Sequence, residues 1–367
     1  MTIAKRNEAL FMPFMQIPTG HHHVADALMD DLRQVNGQMR SKKVDILSYG
    51  YGKMEQVVSS VYLNSITHIP DFYNKLYRGM ACRQRKKQTR FYHYEWLFMP
   101  FFKKMMRQHV PTVLFFTHCL PSNMAGVLKK QGMLDAVTVN VYTDYFVNNV
   151  WGLKSVDYHF APSVLVKKFL MEAGVEASRI FVTGIPVHRA FRKREEITGK
   201  NNKKTILVTG GSLGTGELEK VLPKDTGNLH FIVLCGTNQT LYERLRNRQH
   251  PHIKPISYIH SKHEMNQLYE ASEAVIAKAG GVTISECLLK RKPLFICDTL
   301  PGPEKFNVQQ LQEMGLLLEA DETDIIGQLT SFLAGSNEKR KYEKKLDEYH
   351  AHLETKPMDM LLEKMLK

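Results

Sequence analysis

Two glycine-rich turns in the second half of the chain are typical of phosphate-binding sites. Residues 210–214 (GGSLG) follow the β-rich run 204–209, and Gly280-Gly281 follow the run 274–277. Glycine lets backbone N–H groups approach a phosphate closely, and a helix that begins there adds the positive end of its dipole. Each turn is therefore a candidate diphosphate site, although an ordinary tight turn between a strand and a helix explains either one equally well. Neither matches a P-loop, because no Gly-Lys-Ser/Thr sequence occurs.

Polar side chains follow the second of these turns. Glu286 lies on the first turns of the helix predicted after it, where a carboxylate can accept both hydroxyls of a ribose or can simply complement the helix dipole. Glu304 and Asn307 lie in the Pro-rich stretch 300–307, just after the next predicted strand. Ligands of open α/β sheets bind outside the carboxyl ends of the strands. This stretch is therefore either a sugar-binding loop or a plain connector.

In the first half, His21 and Asp144 are the candidate bases. His21 follows a glycine at the start of a predicted helix, and the ordinary pKa of histidine lies close to the pH at which a general base works. Asp144 directly follows a predicted strand, where it is a competing base or a helix cap. Residues 21–23 are all histidine, but neighbouring residues at a helix start point in different directions, and no Cys or carboxylate stands at ligand spacing. We therefore predict no metal site.

Composition and charge narrow the class of protein. The chain has 367 residues, of which 43% are hydrophobic and 24% charged, as in folded proteins. It has no run of about 18 apolar residues, Pro13 and Pro18 interrupt the stretch that a secretion signal would need, and the five cysteines are widely spaced without a CxxC pair. We expect a cytoplasmic protein without a membrane-spanning helix, a zinc site or disulfides.

The formal net charge of +13 lies entirely in the first 200 residues, which hold 28 Lys and Arg against 15 Asp and Glu. In the stretch 72–107, basic and aromatic residues alternate, a pattern that fits attachment to anionic lipid, a nucleic-acid groove, or a solvated helix with an aromatic core face. Nucleic acid is least favoured, because no DNA- or RNA-binding motif accompanies it. The candidate membrane contacts are Arg83, Arg85, Lys86, Lys87, Arg90, Trp96, Phe101 and Phe102.

The order of predicted elements indicates an α/β fold with two Rossmann-like domains. Short β-rich runs alternate with helical patterns, which is the signature of βαβ units and parallel sheets. The predicted strands are 8–17, 44–47, 112–117, 137–142, 158–161, 204–209, 230–235, 255–259, 274–277 and 293–297, and the predicted helices are 24–35, 162–173, 262–271 and 282–289. Polar residues 192–204 are the predicted linker between an N-terminal domain, 1–191, and a C-terminal domain, 205–337. Residues 338–367 are predicted to form a charged helical tail.

Seven motifs in register resemble the monogalactosyldiacylglycerol synthase and processive diacylglycerol glucosyltransferase family, which belongs to glycosyltransferase family 28 and has the GT-B fold. The resemblance covers nearly the whole chain. The motifs are Gly20-His21 with Val24-Ala25, 141–145 (VYTDY) with Trp151, 183–187 (TGIPV), the loop at Gly210, 234–238 (LCGTN), 277–286 (AKAGGVTISE) and 301–307 (PGPEKFN).

This resemblance implies two Rossmann-like domains that face each other across a cleft. There, a hexose would pass from a UDP-sugar to the hydroxyl of a membrane lipid, most simply diacylglycerol, with inversion and with neither metal nor other cofactor. By similarity, His21 is the catalytic base and Asp144 its competitor. The implied donor site holds the diphosphate at Gly211, Ser212, Gly280, Gly281, Val282 and Thr283, the ribose at Glu286, the sugar or neighbouring phosphate at Glu304 and Asn307, and the uracil near Tyr258 and Ile259.

A lipid acceptor also favours one interpretation of the basic and aromatic stretch, namely peripheral attachment to the inner face of the cell membrane. Residues 301–304 read PGPE where the family has Pro-Gly-Gln-Glu, which leaves the donor open between glucose, galactose and N-acetylglucosamine. The alternatives are a transferase that acts on a polyprenyl-diphosphate lipid, a UDP-sugar 2-epimerase of the same fold, and a non-catalytic lipid-surface protein.

Overall fold

The computed structural model describes residues 7–14, 20–52, 92–192, 204–300 and 302–366. They form two α/β units, one of Met1–Pro186 with His352–Lys367 and one of Val187–Ala351. In the described part of each unit the strands form one six-stranded sheet in which all pairs are parallel. This architecture confirms the predicted α/β class with two Rossmann-like domains.

The first sheet has the strand order β2-β1-β3-β4-β5-β6. Its strands are β1 (Glu8–Met12), β2 (Arg40–Lys43), β3 (Val113–Phe116), β4 (Val137–Val141), β5 (Tyr158–Ala161) and β6 (Ile180–Val182). Helices cover both faces of a parallel sheet, so central strands are apolar throughout. All four side chains of β3 are buried, and the ring of Phe115 stacks on that of its register partner Phe11, with 4.7 Å between centroids.

The second sheet has the strand order β12-β11-β10-β7-β8-β9. Its strands are β7 (Lys204–Thr209), β8 (Leu229–Leu234), β9 (Ile253–Ile256), β10 (Ala274–Lys278), β11 (Leu294–Asp298) and β12 (Leu318–Glu319). Strand β7 has the predicted bounds, and β10 carries four buried residues followed by a half-buried lysine. The apolar runs of these strands form the core of the unit.

Helices follow most strands. Those of the first unit are α1 (Gly20–Val35), α2 (Ile46–Tyr51), α3 (Tyr92–His109), α4 (Cys119–Lys130) and α5 (Val164–Glu172), joined by the last helix of the chain, α12 (Pro357–Leu366). Those of the second unit are α6 (Gln239–Asn247), α7 (Lys262–Ala271), α8 (Gly281–Leu289), α9 (Pro303–Met314), α10 (Ile325–Leu333) and α11 (Asn337–Ala351). In this described set no helix is long and apolar enough to cross a membrane.

Two predictions about local structure are wrong. Residues 44–47 do not form a strand, because the Asp45 side chain accepts hydrogen bonds from the backbone N–H groups of Leu47 and Ser48 and thereby starts helix α2. Residues 303–307 are the start of helix α9 instead of a connector. Pro303 occupies a first-turn position of α9, where its missing N–H costs nothing. Strands β2, β6 and β12 and helices α4, α6 and α10 were not predicted.

The predicted tail, 338–367, consists of two helices that belong to different units. Helix α11 is part of the second unit, whereas α12 packs on α1 in the first. The backbone N–H of Glu354 donates to the Val182 carbonyl at 2.7 Å, and the ammonium of Lys364 lies 4.9 Å from the centroid of the Phe181 ring. Most of the predicted linker, 193–203, lies outside the described residues, so the linker stays a prediction.

We predict that Asp45→Ala lowers the free energy of unfolding of the first unit by about 1–2 kcal/mol, because the buried carboxylate caps helix α2. Both tryptophans of the chain, Trp96 and Trp151, lie in this unit. Urea unfolding followed by tryptophan fluorescence therefore reports on it alone. Asp45→Asn keeps an oxygen acceptor, so its free energy of unfolding should fall by less. Equal decreases in the Ala and Asn variants would contradict the capping role.

Candidate functional site

Several of the residues singled out in the sequence lie where a sheet reverses its strand order. The order changes direction between β1 and β3 in the first sheet and between β7 and β10 in the second. At such a point the loops after the two strands leave in opposite directions, so a crevice opens at the carboxyl ends. His21 follows β1, the turn at Gly211 follows β7 and Gly280 follows β10. His21 and both glycine turns therefore lie at the reversal point of their own unit, whereas Asp144 follows β4, one strand away from it.

His21 is fixed in one orientation by the ends of two neighbouring strands. Its Nδ1 lies 2.6 Å from the Thr117 carbonyl oxygen, after β3, and 3.1 Å from the Thr143 hydroxyl oxygen, after β4. A carbonyl only accepts hydrogen bonds, so Nδ1 carries the proton and Nε2 is the basic atom of the ring. Burial lowers the pKa of His21 to about 4. The ring is thus a neutral imidazole at neutral pH, the form in which a histidine accepts a proton.

A second histidine, His118, flanks the first and was not recognised in the sequence. Its ring stacks on Phe14 with 4.6 Å between centroids and meets His21 edge-on at 5.1 Å. Its Nδ1 accepts from the Leu120 N–H at 3.2 Å and so caps helix α4. Burial holds the pKa of His118 well below its usual range. The signal available in the sequence was its place two residues after a fully apolar strand.

Asp144 lies next to Thr143 in the half-exposed turn after β4. It caps no helix, because within the described stretch 92–192 the next element after β4 is a strand. Burial, with a smaller contribution from the Asp144 charge, raises the pKa of the nearby Cys119 thiol to about 12, which disfavours the reactive thiolate form. The catalytic role of Asp144 stays a prediction.

The loop that carries Asp144 is held by buried hydrogen bonds to helix α4 and strand β4. The Ser122 hydroxyl donates to Asn140 Oδ1 at 2.7 Å and accepts from the Gly152 N–H at 3.0 Å. The Asn123 side chain donates to the Val150 carbonyl at 2.7 Å. These bonds link both ends of the loop to the same helix whose first residues follow Thr117.

In the second unit, the turns after β7 and β8 pack backbone against backbone. A Cβ on Gly214 would lie 1.8 Å from the Cys235 carbonyl oxygen, and one on Gly236 would lie 2.5 Å from the Ser212 carbonyl oxygen. The Ser212 carbonyl also accepts from the Thr237 N–H at 3.0 Å. Side chains are excluded from this contact, so glycine here serves the close approach of two loops, and the role of Gly211 and Ser212 toward a diphosphate stays a prediction.

The second glycine turn starts helix α8. Gly280 is its N-terminal cap and Gly281 its first residue. The N–H groups of Gly281, Val282 and Thr283 have no acceptor within the helix, because the first turn lacks a preceding one. Val282 and Thr283 are half-buried. The helix start therefore presents donors and the positive end of its dipole at the reversal point, as an anion site requires.

Glu286 lies one turn further along α8. The hydroxyl of Tyr269, which is fully buried, donates to its Oε2 at 2.8 Å. Burial raises the pKa of Glu286. Oε2 is thus bonded to a tyrosine of helix α7, so Oε1 is the oxygen left for the predicted contact with a ribose.

Lys278, at the end of β10, is a second residue that sequence reasoning missed. Its ammonium forms an ion pair with Glu304 of helix α9, and the two side chains are only 16% and 10% exposed. Glu304 Oε2 also accepts from the Leu300 N–H at 2.9 Å. The available signal was a lysine at the carboxyl end of an otherwise apolar strand, directly before the glycine turn.

Asn307 was predicted to contact the donor sugar or the neighbouring phosphate, but its position in the structure does not allow this. Its side chain is fully buried and donates to the Ala279 carbonyl at 2.9 Å, between β10 and the glycine turn. A sugar hydroxyl cannot reach an amide without exposed surface. We therefore correct its assignment from a sugar contact to a positioning residue that links helix α9 to the turn.

Tyr258 and Ile259, the predicted uracil site, follow β9 and are half-buried. The strand ends at Ile256, earlier than predicted, so both residues lie in the loop at its carboxyl end. The Tyr258 ring meets that of His260 at 4.7 Å. Their contact with a base stays a prediction.

The candidate membrane contacts divide into three groups. Arg83, Arg85, Lys86, Lys87 and Arg90 lie outside the described residues. On helix α3, Trp96 is 79% exposed, whereas Phe101 packs against Gly50. Phe102 lies in the core of the unit with no exposed surface, so its prediction as a membrane contact is wrong. Six residues further along the helix, it lies about 120° around the axis from Trp96.

A metal site was not expected at the histidines. The first turn of α1 contains all three of them. In the part of the chain that the structure describes, no group of three or more His, Cys, Asp or Glu side chains is arranged to hold a metal ion.

We predict that His21 carries its proton on Nδ1 and stays neutral from pH 8 to about pH 5, because the Thr117 carbonyl fixes the tautomer and burial lowers the pKa to about 4. Long-range ¹H–¹⁵N NMR of the imidazole nitrogens measures both properties, with His21→Gln used to assign the signal. An Nε2–H tautomer, or a midpoint near pH 6.5, would contradict this geometry.

Comparisons with known proteins identify the family of the chain. Residues 21–187 match the family model of monogalactosyldiacylglycerol (MGDG) synthase, and residues 205–355 match the glycosyltransferase family 28 C-terminal domain. The chain is 38% identical to the glycosyltransferase YkoN of Bacillus subtilis (strain 168), over 97% of this chain and 96% of that protein. It is 25% identical to a processive diacylglycerol beta-glucosyltransferase of Bacillus cereus (strain G9842), over 86% and 82%.

The fold is also that of solved glycosyltransferases. The structure of Acinetobacter baumannii MurG superposes with a TM-score of 0.59 at 14% identity, over 98% of both chains. At that identity the likeness concerns the fold alone, which is the GT-B fold expected from the motifs. With a relative of 38% identity along nearly its whole length and family models matching both of its halves, the chain belongs to the monogalactosyldiacylglycerol synthase family and is a glycosyltransferase with a family 28 C-terminal domain.

Proposed function

We propose that this glycosyltransferase moves a hexose from a UDP-sugar to a hydroxyl of a membrane lipid, with diacylglycerol as the first candidate acceptor. The observation that carries the proposal is the His21 ring, which is held by the Thr117 carbonyl as a neutral imidazole with Nε2 as its basic atom. A hydroxyl group needs such a base to become a nucleophile. The similarity to a processive diacylglycerol beta-glucosyltransferase supports a lipid as the source of that hydroxyl.

The transfer is a single displacement at the anomeric carbon of the donor. The acceptor oxygen forms a bond to C1 on the face opposite the leaving group, and its proton passes to His21 Nε2. The bond between C1 and the oxygen of the β-phosphate breaks, and UDP leaves with the electron pair. One displacement inverts the configuration at C1. The Nδ1–H···O=C bond to Thr117 stabilises the imidazolium that forms.

The leaving UDP gains negative charge, so the donor site must stabilise an anion. The first-turn N–H groups of helix α8 and the positive end of its dipole point toward the N-terminal end of the helix, at Gly280. Donors that are already oriented before the reaction stabilise developing charge without reorganisation. We therefore propose that the protein itself supplies this stabilisation and that transfer does not require a metal ion.

Helix α3 supports attachment to a membrane surface. Trp96 is 79% exposed, and Pro100, Lys104 and Arg107 follow it at a spacing of three or four residues, all of them exposed. An aromatic ring beside basic groups is typical of helices that lie at the boundary of lipid headgroups. We propose that this face holds the enzyme peripherally on the cytoplasmic side of the cell membrane, where a lipid acceptor is presented.

Incubation of the purified chain with radiolabelled UDP-glucose, UDP-galactose or UDP-N-acetylglucosamine and extracted membrane lipids tests the function. We expect a labelled glycolipid on lipid chromatography. His21→Ala should lower turnover at least 100-fold, since general-base catalysis contributes roughly 10²–10⁴. Binding of UDP should not change.

His23→Ala, in the same helical turn, is the matched control and should retain most of the activity. Label recovered only as a new nucleotide sugar, without lipid, would indicate an epimerase instead. Transfer to polyprenyl-diphosphate lipids alone would replace diacylglycerol as the acceptor, and full activity of His21→Ala would rule out the proposed base.

Membrane attachment predicts cosedimentation with vesicles that contain anionic lipid and release at high salt, because salt screens exposed charges. Trp96→Ala should weaken vesicle binding about tenfold, since the ring loses its apolar contact with the lipid. Phe169→Ala on helix α5, which removes another exposed aromatic side chain, should have no effect. Equal binding to neutral vesicles, or an unaffected Trp96 variant, would contradict this surface.

A further inference from the structure

The Lys278 side chain lies beside both glycine turns of the second unit. Its Cε is 3.7 Å from the position that a Cβ on Gly211 would take, and its Nζ is 3.6 Å from the corresponding position on Gly280. The first turn follows β7 and the second follows β10, the two strands between which the order reverses. A full positive charge therefore lies beside both glycine turns.

In the structure this charge is already neutralised. Lys278 is paired with Glu304, and both side chains are largely withdrawn from water, with 16% and 10% exposed. The Glu304 Oε1 atom also lies 3.8 Å from the position of a Cβ on Gly280. A carboxylate thus borders the same turn whose N–H groups are suited to an anion. An anion bound at this turn would be repelled by the Glu304 carboxylate, and the repulsion between the two negative charges is strong where little water screens them.

Glu304 has a second interaction that does not depend on Lys278. Its Oε2 accepts from the Leu300 N–H at 2.9 Å, and it lies on the first turn of helix α9, where a carboxylate is stabilised by the helix dipole. Helix α9 is in turn linked to the glycine turn by the buried bond from Asn307 to the Ala279 carbonyl. The carboxylate therefore remains fixed when its partner ammonium turns to another anion.

We propose that Lys278 is the cation that binds the diphosphate of the donor. In the ligand-free enzyme Glu304 is its counter-ion, and the Lys278 ammonium turns away from Glu304 when the diphosphate enters. The inference rests on the proposed UDP-sugar donor and extends it. The ammonium adds a full charge to the N–H groups of helix α8 as the leaving group develops its own. Glu304, by competing for the ammonium, weakens UDP binding and favours release of the product.

Calorimetric titration of the full chain with UDP and with uridine tests the exchange. Lys278→Gln should weaken UDP binding at least tenfold. The binding of uridine, which has no phosphate, should not change. Lys278→Arg keeps the charge and should stay within about threefold of wild type. Glu304→Gln should bind UDP at least threefold more tightly, because glutamine keeps an oxygen for the Leu300 N–H but has no charge to compete with the diphosphate.

Lys290→Gln is the matched control. It removes another lysine that pairs with a glutamate, Glu270, and is only 4% exposed. Lys290 lies just beyond the far end of helix α8, about 13 Å from the glycine turn at 1.5 Å per residue. UDP binding should be unchanged in this variant, which separates loss of charge at the turn from a general loss of stability.

The outcomes distinguish the two proposals. UDP binding that is the same in wild type and Lys278→Gln overturns the role of Lys278 while the UDP donor stands. Weaker UDP binding in Glu304→Gln overturns the exchange, because Glu304 would then contact the ligand favourably. A wild-type chain that binds no UDP overturns the donor and the exchange together.

Discussion

A parallel sheet that reverses its strand order once leaves a gap at the carboxyl ends of two neighbouring strands, and this constraint positions the main candidate residues of both units. In the first unit the gap lies between β1 and β3, and it receives His21 from the helix after one strand and Thr117 from the end of the other. In the second it lies between β7 and β10, and it receives Gly211 and Lys278. Residues that are far apart in sequence meet there because the strands that carry them are adjacent in the sheet.

Burial determines the protonation state of the histidines and shifts the pKa of Glu286. The ordinary histidine side chain is partly protonated near neutral pH, whereas at His21 and His118 the loss of hydration disfavours the charged ring. The same effect raises the pKa of the Glu286 carboxyl, whose Oε2 is held by Tyr269. Lys278 and Glu304 avoid the cost of isolated buried charges by pairing with each other. The two histidines are therefore neutral at neutral pH, and the charges of Lys278 and Glu304 compensate each other.

The fold could be predicted from the sequence wherever local pattern and burial agree. Strand β7 and helix α7 have their predicted bounds, because an apolar run ends at a glycine turn in one case and a capping serine starts the other. Residues 44–47 were wrongly predicted as a strand. Ile46 and Leu47 are buried in the core, as the residues of a strand would be, but the cap at Asp45 makes them helical. Pattern shows that a residue is buried more reliably than it shows the backbone conformation in which it is buried.

The site was predicted in part, for a related reason. His21, Gly281 and Glu286 stand in local motifs at strand and helix ends, and the structure puts them at the reversal points or one turn beyond. The roles of Lys278 and Asn307 depend on partners that are 26 and 28 residues away, Glu304 and the Ala279 carbonyl. A single sequence contains no signal for such pairs. Phe102 was assigned to the surface because basic residues surround it in sequence, whereas its helical face points to the core.

Both units orient a site side chain through a main-chain carbonyl of the neighbouring strand end. His21 of helix α1 bonds to Thr117 after β3, and Asn307 of helix α9 bonds to Ala279 after β10. A backbone carbonyl cannot be altered by substitution and moves only with its strand. The tautomer of His21 and the link between helix α9 and the glycine turn are therefore determined by main-chain atoms at the strand ends, and they do not depend on the side chains of Thr117 and Ala279.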